Sequence, residues 1–123
     1  MRKAVRAKAA RSEIVVLSTV DSPETAGTIA RALVEEKMAA CVNIVPGLRS
    51  IYRWEGAVCD ESELLLIIKT TEQCFESVRR RIRALHPYQL PESIAIPVVA
   101  GDQEYLGWVS SSVAPTQSRK KPA

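Results

Sequence analysis

At 123 residues the chain is long enough for one domain with a single modest core and ragged ends. No apolar run approaches the roughly 18 residues that span a membrane, and the basic start lacks an apolar stretch of signal-peptide length, so neither a membrane nor secretion is expected. The formal charge of +3 comes from the ends: without Arg2, Lys3, Arg6, Lys8, Arg11, Arg119, Lys120 and Lys121, nine basic residues face fourteen acidic ones, and that balance gives no warrant for a nucleic-acid surface.

Residues 1–11 read as a disordered basic tail, 12–109 as the folded domain, and 110–123 as a second disordered tail rich in Ser, Pro and Lys. Cys41, Cys59 and Cys74 form neither a C-x-x-C pair nor an even set, which fits a reducing cytoplasm.

Residues 14–19 are a short β-branched run, expected as a buried strand. Asp21 followed by Glu24 reads as a helix start, and Ala26, Ile29, Ala30, Leu33, Val34 and Met38 form one apolar helical stripe. A long hairpin is expected next, with apolar segments at 41–45, 48–54 and 64–68 and a tight turn at Glu55-Gly56. Pro46-Gly47 interrupts its first arm as a bulge or bend. Thr70 with Gln73 reads as a second helix cap, ahead of a stripe of Phe75, Val78, Ile82 and Leu85. Pro87 and Pro91 stiffen a connector, residues 93–99 form a last strand that Pro97 confines to an edge, and Asp102 caps a short helix over 103–109.

The order β-α-β-β-α-β plus a short C-terminal helix predicts an α+β, ferredoxin-like split β-α-β fold, with the second and fourth strands on the edges. The hairpin arms are longer than the usual strand of about 5–6 residues. They should reach beyond their own sheet and leave backbone groups that seek another chain, which points to a symmetric oligomer.

Candidate site residues are few. His86, the only histidine, could ligate a transition metal or shuttle a proton, but its place at a helix C-terminus slightly favours a structural cap. Cys41 lies mid-strand among apolar neighbours, where an inert thiol is the default. Tyr52, Trp54, Glu61, Glu63 and Lys69 alternate along the hairpin; Glu61 and Glu63 share a face and could hold a cation or keep an arm soluble. No nucleotide loop, metal-protease helix or serine–histidine–aspartate order appears, so an enzyme is not expected.

The segments E-E-K-M-A-A-C-V-N-I-V-P-G (35–47), S-I-Y-R-W-E-G (50–56), I-I-K-T-T (67–71), H-P-Y-Q-L-P-E (86–92) and Y-L-G-W-V (105–109) occur in one order. In this the chain resembles the CutA family of divalent-cation tolerance proteins. The resemblance implies a PII-like homotrimer whose hairpins wrap neighbouring subunits, with copper or another divalent ion as the bound species. It implies His86 as the metal ligand, with Cys41 a weaker one. Two positions depart from the copper pattern of some relatives: Ser18 stands where they carry a cysteine, and Leu85 where they carry a second histidine. A hydroxyl and a leucine cannot replace soft ligands. The other function consistent with the residues is a signalling or adaptor module, taking a small anionic effector or a protein partner in inter-subunit clefts lined by Tyr52, Trp54, Lys69 and Tyr88.

Overall fold

The computed structural model describes residues 13–115; the basic tail expected at 1–11, and residues 116–123 of the tail expected at 110–123, lie outside them. The elements are β1 (Glu13–Val20), α1 (Pro23–Glu35), β2 (Cys41–Trp54), β3 (Ala57–Thr71), α2 (Phe75–Leu85), β4 (Ile94–Pro97) and α3 (Gln103–Ser111), with one 3-10 turn at Glu72–Cys74 ahead of α2. They build the expected α+β, ferredoxin-like fold with a long β2–β3 hairpin and a C-terminal helix. The sheet runs β2-β3-β1-β4, so β2 and β4 are the edges.

Alternation along β1 and β3 decides where the core lies. Ile14, Val16, Val20, Leu66 and Ile68 point to one face and are buried against Ile29 and Leu33 of α1 and Val78 and Ile82 of α2. Ser18 belongs to the same face and is fully buried, and its hydroxyl has no hydrogen-bond partner among the described residues. A buried hydroxyl left unpaired costs about 1–3 kcal/mol. Ser18→Ala is therefore expected to raise stability by about 1 kcal/mol. Urea unfolding at fixed protein concentration would show this, and an unchanged or lower midpoint would contradict it.

Several local expectations change. The first helix is capped by Ser22, not Asp21: Ser22 Oγ accepts from the Thr25 backbone N–H at 3.1 Å. Pro23 explains the shift, because it starts a helix well and forces the preceding residue into an extended conformation. At the other end Lys37 adopts φ 59, and the Lys37 and Met38 amides donate back to Val34 and Leu33. That closes α1 in a Schellman turn with lysine in place of the usual glycine. Thr70 does not cap the second helix. It lies on the core face, where its hydroxyl donates to the Met38 carbonyl at 2.6 Å, while Thr71 occupies the extended cap position without a side-chain bond. The last strand is Ile94–Pro97, shorter than 93–99. The C-terminal helix runs past 109 to Ser111, and the Ala114 amide donates to the Lys37 carbonyl.

The hairpin is longer than the sheet that supports it. β1 pairs only with residues 64–71 of β3, so 57–63 pair with β2 alone and project as a two-stranded arm. Glu55 (φ 50) and Gly56 (φ 83) make the two-residue turn, both left-handed as a type I′ turn requires. Pro46-Gly47 does form a bulge: Val45 pairs with Leu65 and Leu48 with Glu63, so β2 spends one extra residue there. Cys41, Asn43 and Val45 therefore share a face with Leu48, Ser50, Tyr52 and Trp54, although the numbering switches from odd to even.

Candidate ligand-binding cleft and its family

The face opposite the helices carries the site. Cross-strand partners share a face, so Ser50, Tyr52 and Trp54 of β2 lie beside Glu61, Cys59 and Ala57 of β3, with Glu63 next along the strand. Thr19 comes from the end of β1. Over them passes the connector after α2, which contributes Tyr88, Gln89, Leu90 and Glu92. Thr19, Ser50, Tyr52, Trp54 and Glu63 join these four connector residues to line a cleft of about 510 Å³, within the range of small-molecule sites.

His86 anchors that connector. It caps α2, its amide donating to the Ile82 carbonyl at 2.8 Å, and Pro87 keeps it extended at ψ 137. The imidazole is buried. Nε2 lies 2.7 Å from the Thr19 carbonyl, to which it donates, and Nδ1 accepts from the Tyr88 amide at 3.2 Å. These bonds define the neutral ring with its proton on Nε2 and leave no lone pair for a metal. The ring also packs against Tyr88, centroids 4.3 Å apart, and the Tyr88 hydroxyl donates to Glu63 Oε2 at 2.6 Å. Burial and the Glu63 carboxylate hold the Tyr88 phenol well above its usual range. Glu92 is also pushed up, first by burial and then by the charge of Glu63, while a hydrogen bond from Thr19 opposes the shift.

The cleft thus brings together Tyr52, Trp54, Glu63 and Tyr88 from the sequence-derived candidates and excludes the others. Glu61 shares the face and raises the pKa of Tyr52, behind the larger effect of desolvation, but it does not line the cleft. Lys69 lies six residues from Glu63, roughly 20 Å along β3. It bonds Asn43 Oδ1 and sits 3.8 Å from Cys41 Sγ. Cys41 pairs with Lys69, whereas the carbonyl that His86 grips belongs to Thr19, the partner of Leu65. Along the strand direction Cys41 therefore lies about four residues, roughly 13 Å, from the carbonyl that holds His86, and two strands across from it. Among the described residues no group of three His, Cys, Asp or Glu is placed to hold a metal ion. Within one protomer the donors do not fit copper: the imidazole is engaged, the thiol is distant, and Ser18 faces the core.

Thr19, Ser50, Gln89, Leu90 and Glu92 were missed by the sequence reading. The last three fall within H-P-Y-Q-L-P-E, where a motif signal existed without a role attached. Ser50 likewise opens the motif S-I-Y-R-W-E-G, whereas Thr19 had no signal, because alternation within a strand does not reveal which segment lies beside it.

The family model for "CutA1 divalent ion tolerance protein" matches residues 14–112, which is nearly all of the described chain. The chain belongs to that family. Members are tolerance proteins rather than enzymes. A CutA of Thermus thermophilus, named as a divalent-cation tolerance protein, is 59% identical over 97 residues, covering 79% of this chain and 94% of its own. The solved Thermus thermophilus structure superposes with TM-score 0.81 at 56% identity, covering 83% of this chain and 99% of that one. The chloroplastic CutA of Arabidopsis thaliana is 48% identical over 99 residues, covering 80% of this chain and 54% of that protein. A structure described as a PII-like CutA, from Nostoc sp. PCC 7120, gives TM-score 0.77 at 41% identity, covering 83% and 98%.

Proposed function

We propose that this CutA-family protein serves divalent-cation tolerance as a non-catalytic homotrimer in the cytoplasm, and that it takes a positively charged ligand in the cleft between its hairpin and the connector after α2. One observation carries the choice of charge: Glu63 and Glu92 both line the cleft, and among the described residues of the protomer no lysine, arginine or histidine does. The signalling-module reading is kept in its site and reversed in its charge, since a small anionic effector would face two carboxylates. The projecting arm and the two open sheet edges support the trimer, because their unpaired backbone groups are satisfied by neighbouring copies. No described helix is long and apolar enough to cross a membrane. The three free cysteines suit a reducing compartment.

Copper is the finer reading that the family resemblance supplies, with His86 as ligand and Cys41 from the same or a neighbouring subunit. It requires Nδ1 to release the Tyr88 amide. Native mass spectrometry of the full chain titrated with Mn(II) and with Cu(II) tests both readings. A trimer whose ion uptake is lost in Glu92→Gln supports the cleft. Copper uptake lost in His86→Ala and kept in Glu92→Gln supports the histidine site instead. A monomer, or no saturable ion in any form, overturns the proposal.

A further inference from the structure

We propose that the cleft binds an organic ammonium ion, with an aliphatic diammonium compound the form that engages both of its carboxylates. The inference rests on the reading that the cleft takes positive charge, and it names the chemical class. Three aromatic side chains, Tyr52, Trp54 and Tyr88, share the lining with Leu90, Glu63 and Glu92. Aromatic faces attract organic cations through their ring quadrupole, most strongly at tryptophan and where water is scarce. Methylene groups of the same ligand gain by packing on Leu90 and the rings.

Size and donor chemistry favour this class over a bare metal ion. A divalent ion of the hard kind asks for six or more oxygen ligands at close range. The cleft has about 510 Å³ and two carboxylates, and one oxygen of Glu63 already accepts the Tyr88 hydroxyl. Rings and an aliphatic side chain contribute nothing to a metal's coordination, yet they make up much of this wall. The wall is also pre-organised: Tyr88 is held from one side by Glu63 and from the other by the His86 ring, so ordering it costs the ligand little. Glu92 is shifted up first by burial and then by the charge of Glu63, and a cation bound between the two carboxylates would offset both.

The test uses three four-carbon probes of matched length on the full chain at neutral pH: 1,4-diaminobutane, 1,4-butanediol and succinate, read by titration calorimetry and thermal shift. The diamine alone is expected to bind saturably and raise the melting temperature. Its dissociation constant should rise by at least about tenfold in Glu92→Gln and in Trp54→Leu, each checked for wild-type circular dichroism. Absence of saturable diamine binding, equal binding of the diol, or undiminished affinity in both variants overturns the inference. Comparison of diamine with diol on the wild type decides the matter even if a variant misfolds. Manganese uptake that depends on Glu92, without diamine binding, would sink the ammonium class and leave the cation-binding reading standing. Preferential binding of succinate would overturn both.

Discussion

Replacing Leu66 with alanine is expected to lower stability by about 3–5 kcal/mol, the largest single effect in this fold. Leu66 sits in the central strand, paired with Ser18 on one side and Ile44 on the other, and is fully buried beneath both helices. Truncation removes its transfer free energy and leaves a cavity between sheet and helices. Backbone on both flanks is held in ladders, so the site cannot collapse to fill it. Urea unfolding at fixed protein concentration should show a lower midpoint with an unchanged slope. A loss below about 1 kcal/mol would mean that the core relaxes around the hole and that the two-layer packing is looser than described.

The second large effect is expected at His86, where alanine should cost about 3 kcal/mol and disable the cleft as well. The ring donates to the Thr19 carbonyl and accepts from the Tyr88 amide, so its removal orphans two backbone groups in a buried corner. It also takes away the surface on which Tyr88 rests. The connector carrying Tyr88, Leu90 and Glu92 then loses its fixed geometry, and ligand affinity in the cleft falls even though His86 does not line it. Chemical unfolding combined with diamine titration measures both consequences. Wild-type stability in His86→Ala would refute the positioning role and return the imidazole to the copper reading.

The interplay of these two residues explains how one chain can be rigid in one layer and receptive in the other. The helix-covered face is apolar and closed, apart from the hydroxyl of Thr70, which bonds the Met38 carbonyl, and that of Ser18, which has no partner among the described residues. The opposite face holds the polar and aromatic groups, and it is completed by a connector that a single histidine pins to β1. On the proposed reading, cation binding in the cleft depends on the structural role of this imidazole rather than on its coordination chemistry.

Periodicity and turn chemistry were enough to determine the element order, the helical stripes of α1 and α2, the edge position of β4 from Pro97, the bulge at Pro46-Gly47 and the overlong hairpin. Each of these is a local property of the chain: spacing, a missing N–H donor, or a demand for positive φ. The motif order likewise identified the family. One local competition went the other way, and tertiary structure decided the rest. Ser22 displaced Asp21 as a cap because Pro23 set its backbone, a local rule in which two neighbouring signals competed. Thr70 points inward because β3 continues through it, so alternation from Leu66 and Ile68 puts it on the core face, where its hydroxyl meets the Met38 carbonyl. Above all, the neighbours of His86 come from 67 residues away in sequence, at Thr19, and the cleft joins two strands of the hairpin to the end of β1 and to the connector. A side chain's role follows from which groups use its lone pairs and protons. For groups this far apart in sequence, strand order and the path of the connector make that assignment.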